Sequence, residues 1–433
     1  MITWRNGTVV RVRREWPGAV ELEVTVSAAA GPADGDVPGP APEHAPEQAP
    51  EQAPEQAPEQ APELVRALAY PALTGRPGPG DRVLLNTTAL DLRLGTGGYA
   101  LVAAMPDRLP PDRSGPGHLV KARYTPLQAI VLGADEQGSP YHETLRDAAD
   151  VAGMPVVVAD LHSALAPVLA GLYDAADQDQ AEDPPAQGAP PPGSGGATAD
   201  GPVQSGARRA SPGGLRVVYV MTDGGALPAW FSRTCATLRE AGWLAGTVTV
   251  GQAFGGDLEA VTLHTGLLAA RHVLGADVAV VAQGPGNLGT GTRWGFSGVA
   301  AGEAINAVAA LGGRPVAALR VSEADPRERH RGVSHHSLTS YGRVALAPAA
   351  VVVPELPGEF GAQIAAQAEP LGARHALVRV PVAGLDEALA RCPAPLSTMG
   401  RGLAEDRAYF LTAAAAGRYA ASLLQGATMK PFS

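Results

Sequence analysis

From about residue 118 onward the chain alternates short apolar strand candidates with helix-length segments, and that alternation leaves few folds open. The strand candidates are MPVVVAD, LRVVYVMTD, WLAGTVTVG, DVAVVAQ, PVAALRV, AVVVPEL and HALVRVP. Between them stand segments such as AWFSRTCATLREAG, directly after a proline that suits a helix start, and DLEAVTLHTGLLAARHVLG. Strands that read as continuous Val, Ala and Leu are buried on both faces, as in parallel sheets covered by helices. A doubly wound, mostly parallel sheet with helices on both faces is therefore expected over residues 113–433. The segment EDRAYFLTAAAAGRYAASLLQ reads as a terminal amphipathic helix, preceded by a second glycine loop, STMGRG.

Residues 1–112 have a different rhythm. TVVRVRR, AVELEVTV, VRALAYPAL, DRVLLNTTALDL and GGYALVAAMP read as strands separated by the turn signals NG, PG, RPGPGD and GTGG, which predicts a small β-barrel or sandwich. Arg11 and Arg13 alternate with valines, a pattern that a solvated strand face explains as well as an RNA-binding one. No stacking aromatics interleave, so nucleic acid is not expected as a partner.

Two segments lack the residues to join any core. Residues 28–64 carry a repeat of APEH, APEQ and APEL units whose prolines break a helix every fourth position, and 174–214 is dominated by Pro, Gly, Ala and Asp. Both are expected to be disordered insertions. They also account for the acidity. The first holds eight acids and no Lys or Arg, the second six acids and two Arg, so together they contribute −12 to a formal charge of −10 and leave about +2 for the remainder. Against that near-neutral body the arginines at 293, 320, 327, 329, 331 and 343 are a local excess suited to a small anion. Cys235 and Cys392 show neither metal spacing nor a disulfide framework. The amino end lacks the apolar core of a signal peptide and no apolar run is long enough for a bilayer, so a cytoplasmic protein without a membrane partner is expected.

In an open α/β sheet ligands bind beyond the carboxyl ends of the strands, and the unusual polar residues fall there. Asp160 with His162, Asp223, Gln252 with Asp257, and Gln283 each follow a strand candidate, whereas GLR, AGW and GRP at the opposite ends are short turns. Asp160 and Asp223 are candidate bases; His162, Asp257 and His264 are candidate metal ligands. Gln283 opens GPGNLGTGTRWG, which satisfies GxGxxG, but the glycines continue past the point where a dinucleotide-binding helix begins, and no Gly-Lys-Ser/Thr makes it a P-loop. The preferred reading is a backbone nest for a phosphate or carboxylate, with Gly284, Gly286, Asn287 and Gly289 giving close approach and Thr290, Thr292 and Arg293 assisting. Trp294 and Phe296 are placed to wall a pocket.

The next strand candidate runs into SEADPRERHRGVSHHS, which gathers Arg327, Arg329, His330, Arg331, His335 and His336. Three readings stay open for it: acid–base work by one histidine beside anion-neutralising arginines, a divalent metal site, or a solvated basic loop. A metal site looks harder to build here, because adjacent histidines on an extended chain point apart and ligands would have to come from other strands.

The blocks MTDGGALP, GQAFGGDLEAVT, GPGNLGTGTRWGFSG and ADPRERHRGVSHHSLT closely resemble those of an uncharacterised bacterial family known only as a domain of unknown function, DUF3866. The resemblance spans nearly the whole chain apart from the two insertions and implies no activity, substrate or cofactor. Function thus rests on the residues: a hydrolase or group transferase acting on an anionic or phosphorylated small molecule is expected. The alternatives are a non-enzymatic metabolite sensor or interaction protein and a nicotinamide nucleotide-dependent oxidoreductase.

Overall fold

A computed structural model of the chain describes residues 2–26, 63–92, 97–112, 115–182 and 214–426. It divides into two compact units, Met1–Arg113 and Ser114–Ser433. The repeat segment and most of the second insertion lie outside the described residues.

The first unit is a closed barrel. Strands β1 (Trp4–Trp16), β2 (Ala19–Val26) and β3 (Glu63–Ala69) lead through a helical turn α1 (Pro71–Thr74) to β4 (Arg82–Asn86), a second turn α2 (Thr88–Asp91) and β5 (Ala100–Ala104). The order around the barrel is β1-β2-β3-β5-β4. Only the pairing of β3 with β5 is parallel. One long strand, β1, pairs with both β2 and β4, and irregularities after Val9 and Val12 let it bend around a core of Val9, Val20, Leu22, Val24, Val83, Leu85 and Val102. The basic outer face is matched across the β1–β2 ladder, where Arg11 pairs with Glu23 and Arg13 with Glu21.

The second unit begins with a small hairpin, β6 (Leu119–Lys121) and β7 (Ala129–Val131), and a helical turn α3 (His142–Leu145). There follow β8 (Pro155–Val158), α4 (Leu165–Glu182), β9 (Val217–Thr222), α5 (Arg233–Glu240), β10 (Gly246–Thr249), β11 (Leu258–Glu259), α6 (Leu263–His272), β12 (Val278–Gln283), α7 (Ala300–Ala310) and β13 (Arg314–Ala318). A two-stranded ribbon, β14 (Val321–Ser322) and β15 (Gly332–Val333), leads to α8 (His335–Thr339). The chain ends through β16 (Ala350–Glu355), α9 (Gly358–Ala368), β17 (Ala376–Pro381), α10 (Leu385–Ala390), a hairpin β18 (Ser397–Thr398) and β19 (Arg401–Gly402), and α11 (Arg407–Leu424). Eight strands form one sheet in the order β11-β10-β9-β12-β8-β13-β16-β17, with every pairing parallel. Alternate residues feed the two faces: Val157, Tyr219 and Val280 pack with α4, α5, α10 and α11, while Val156, Val218 and Val281 pack with α6, α7 and α9.

Three expectations need correction. The segment read as one helix from Asp257 first adds an eighth strand, β11; the Thr262 hydroxyl then caps Thr265 N, so α6 starts only at Leu263. The second insertion does not begin at 174, because α4 continues to Glu182 and buried Asp174 is held by Arg391 and Arg418. Helix α11 is not amphipathic. Its residues from Ala408 to Gly417 are buried, since it lies along α4 and crosses several strands. The approach is backbone to backbone: a methyl group on Gly171 would fall 1.8 Å from the Ala414 carbonyl oxygen, and one on Gly417 1.9 Å from that of Val168.

Because backbone cannot yield as a side chain tip does, Gly417→Ala is expected to lower the free energy of unfolding by about 1–3 kcal/mol. Gly372→Ala, where the nearest neighbour is a Leu377 methyl at 3.4 Å, should stay within about 0.5 kcal/mol of the parent. Urea midpoints measured side by side check the pair; equal midpoints would contradict the close crossing of α4 and α11.

Candidate functional site

Neighbouring strands β8 and β12 send their following helices, α4 and α7, to opposite faces of the sheet. Their loops must part, which opens a crevice at the carboxyl ends. Asp160, just past β8, and Gln283, the last residue of β12, stand in it. Gln283 is committed to the scaffold: Nε2 donates to the Asp160 carbonyl (2.7 Å) and to Asn287 Oδ1 (3.1 Å), and Oε1 accepts from Ser297 (2.7 Å).

The glycine loop folds on itself. Thr290 N donates to Gly295 O (2.7 Å), Ser297 N to Leu288 O (2.9 Å), Leu288 N to Ser297 Oγ (3.0 Å) and Gly295 N to Thr292 Oγ1 (3.1 Å), while Gly289 bridges Phe296. These amides are spent inside the loop, and α7 begins only at Ala300, after a single 3-10 turn. Within the stretch expected to form a backbone nest, the Leu288 and Thr290 amides are thus engaged inside the loop, and the loop departs from the strand–turn–helix of a dinucleotide fingerprint. Gly284 serves packing, since a side chain there would strike the Ala226 carbonyl at 2.2 Å, while Gly286, at φ +100, meets the loop's need for a left-handed residue.

The histidine loop is held by a different device. Pairing of β14 with β15 brings Ser334 back to the end of β13, where Ser334 N donates to Arg320 O (2.8 Å) and Arg320 N donates to Ser337 Oγ (2.8 Å). Ser334 Oγ then caps α8 by accepting from His336 N (3.2 Å) and bonds His330 Nδ1 (2.8 Å). His335 and His336 are thus in a helical turn, not on an extended chain, and they do not point apart. Ring centroids lie 4.4 Å apart for His335 and His336, 4.9 Å for His330 and His335, and 4.8 Å for His330 and His336. Phe296 of the glycine loop stacks on His336 at 3.7 Å, so the two loops meet there.

Beneath the histidines runs a buried ionic network. Arg320, 3 % exposed, lies 3.8 Å from Asp160 Oδ2 and 3.8 Å from Asp325 Oδ2, with His336 Nδ1 3.4 Å from its Nη1. Asp325 has no exposure and receives the Arg327 fork at 2.9 Å on both oxygens and Arg401 at 3.3 Å. Asp406 takes Arg401 Nε (3.0 Å) and Ser322 Oγ (2.7 Å). Burial alone would raise the Asp325 carboxyl, but the Arg327 hydrogen bonds outweigh it and hold it well below the usual carboxylate range. His330 is pushed down to about 3 by burial and by Arg320 and Arg327, and His335 to about 4 by burial, His336 and Arg329, so both rings are neutral near pH 7.

Next to this network lies a cavity of about 720 Å³, lined by Gly291 and Arg293 of the glycine loop, Arg329 and His335 of the histidine loop, Leu338, Thr339, Gly342 and Arg343, and Gln367, Pro370 and Leu371. None of these lining residues is acidic. Arg293 and Arg329 thus both line the cavity, whereas Arg327 is turned inward onto Asp325; Arg331 is exposed and does not line the cavity. Other candidates stand elsewhere. Asp223 accepts from Gln252 N (2.8 Å), and Gln252 Oε1 from Arg123 N (3.1 Å). Asp257 accepts from Thr247 N and Oγ1 (2.7 and 2.9 Å) and pairs with Arg239. His162 is buried against Tyr219 and Ser232, and His264 is exposed on α6. Among the described residues, the group of His, Cys, Asp or Glu close enough to share a cation is His330, His335 and His336, not the expected His162, Asp257 and His264. Sequence reasoning gave no role to Asp325, Arg401 or Asp406, whose partners lie up to 84 positions away.

Burial also pushes the His162 imidazole down to about 4. The unfolded chain takes up that proton near the ordinary value of about 6.5, so the ring's contribution is complete above pH 6.5 and is lost as pH falls toward 4. In urea titrations between pH 6.5 and 4.5, His162→Gln is expected to flatten the dependence of stability on pH by about 1.4 kcal/mol per pH unit, one proton's worth. An unchanged slope would contradict a buried neutral ring.

No curated protein and no solved structure matches the chain significantly. The profile of a family described as Protein of unknown function (DUF3866) matches residues 66–182 and 201–417, which spans most of the chain and includes the loops that build the site. The chain therefore belongs to the DUF3866 family.

Proposed function

We propose that the protein is an enzyme of the hydrolase or group-transfer class whose substrate is an anionic, phosphorylated small molecule held in the arginine-lined cavity. The observation that carries this reading is the lining itself: Arg293, Arg329 and Arg343 converge on about 720 Å³ of space with no carboxylate on its wall. Guanidinium forks match the paired oxygens of a phosphate, and a cavity of this size takes a ligand larger than a bare ion. Leu338, Pro370 and Leu371 supply an apolar wall for the rest of such a molecule. His335 joins the cavity to the histidine cluster, whose neutral imidazoles keep lone pairs near pH 7. The cluster would activate the attacking water or hydroxyl, and the arginines would offset charge gathering on the phosphoryl oxygens. Phe296 and Ser334 fix the rings in place, so the cluster is preorganised before substrate arrives.

Inorganic phosphate, a nucleoside diphosphate and a sugar phosphate are the probes, read by thermal shift and calorimetry, with hydrolysis of p-nitrophenyl phosphate as the readout of turnover. Binding to the native state should raise the melting temperature. Arg329→Ala and Arg343→Ala are each expected to weaken binding about tenfold or more, the loss of one charge-assisted hydrogen bond of about 1.5–3 kcal/mol. An Arg329→Ala/Arg343→Ala double variant that binds phosphorylated probes as the parent does would sink the reading. Tight binding without turnover of any probe would make the cavity a binding site only.

A further inference from the structure

Three imidazoles gathered face to face need a reason. Packed rings commonly satisfy both nitrogens with hydrogen bonds, yet here the polar atoms turn toward one another and some are left unmet. His335 Nε2 is buried without a hydrogen-bond partner, and so is Asp160 Oδ2, on a residue only 5 % exposed. Ser334 engages His330 at Nδ1 (2.8 Å), and His336 Nδ1 lies between Arg320 Nη1 (3.4 Å) and Asp160 Oδ2 (3.7 Å), so Nε2 is the nitrogen of each ring not engaged there. One potential ligand atom from each of the three rings falls in a set whose members all lie within 4.8 Å of one another.

We propose that His330, His335 and His336 form a binding site for a divalent transition metal of the zinc class, with its remaining coordination position open to the arginine-lined cavity. The donor set selects the ion. Three imidazoles without a carboxylate or carbonyl ligand suit zinc, cobalt or nickel and not magnesium or calcium, which take oxygen. The Ser334 hydroxyl at His330 Nδ1 is the kind of contact that orients a metal-binding histidine, and His336 Nδ1 sits between Arg320 Nη1 (3.4 Å) and Asp160 Oδ2 (3.7 Å). Ligand atoms around a tetrahedral zinc sit about 3.3 Å apart, so no pair closes by more than about 1.5 Å, and half-buried His335 is the least enclosed of the three rings.

The nearby arginines do not forbid a cation. Arg320, Arg327 and Arg401 are offset by Asp160, Asp325 and Asp406, which leaves the buried network near neutral. His335 also lines the cavity, so the open position would face the anion site. A zinc-class ion on three imidazoles lowers the pKa of a bound water to about 7, which supplies a nucleophile at neutral pH. The inference deepens the proposed function by naming its cofactor but does not depend on the identity of the anion.

The test uses the full chain, stripped with chelator and titrated with zinc in calorimetry and with cobalt in visible spectroscopy. About one equivalent of zinc should bind, and cobalt should give the intense visible bands of a low-coordinate nitrogen site. His330→Ala and His336→Gln should each weaken zinc binding at least about a hundredfold, and Asp160→Asn, a positioning change, about 10- to 100-fold. Arg343→Ala should keep wild-type zinc affinity while binding phosphate about tenfold or more weakly. If the wild-type chain binds no stoichiometric zinc and gives no cobalt bands, the inference fails whether or not the variants fold. It also fails if a folded His330→Ala/His336→Gln variant binds zinc as the parent does. Phosphate binding that survives either failure leaves the anion reading standing, and loss of phosphate binding in a zinc-loaded chain does the reverse.

Discussion

A guanidinium taken out of water costs several kcal/mol unless carboxylates meet it, and Arg320 sits with 3 % exposure just beyond β13. Asp160 and Asp325 meet it from different parts of the chain, and Asp325 draws in Arg327 and Arg401, which reaches Asp406. The network joins the β8 loop, the β14–β15 ribbon, the β18–β19 hairpin and the start of α11. Removing one member would leave an uncompensated buried charge, so the site stands or falls with this set.

The sheet makes that convergence possible. Parallel strands direct all their carboxyl ends to one edge, and the reversal of strand order at β8 and β12 keeps their loops from closing over it. Tyr341, fully buried, donates to the carbonyls of Val158 and Ala318 and so fastens the ends of β8 and β13 below the histidines. The glycine loop acts as a buttress: its internal hydrogen bonds fix Phe296, and Phe296 fixes His336. Rigid aromatic stacking and a capping serine place the imidazoles, while exposed arginines on three segments surround the space beside them.

Much of this was legible in the sequence because its signals are local. Apolar runs such as DVAVVAQ and PVAALRV mark buried parallel strands wherever they occur, and the residues that follow them must gather at one edge. Asp160, Gln283 and the histidine loop were placed at that edge without coordinates. What was not legible depends on partners distant in the chain. Asp406 and Ser322 are separated by 84 positions, and nothing near either announces the other. His335 and His336 converge only because Ser334 starts a helical turn at that point, a choice that a short polar stretch leaves open. In a sequence, a Gly needed for close packing, as at Gly284, looks the same as one needed to cradle a phosphate. In α11 the small alanines permit a helix to be buried against another backbone.

The measurement that bears most directly on this account is anomalous diffraction at the zinc edge from crystals of the zinc-loaded chain soaked in vanadate. The expected result is one anomalous peak bounded by His330, His335 and His336, with the vanadate density against Arg329 and Arg343 on its open side. A peak elsewhere, or vanadate bound away from the cavity, would contradict the site described.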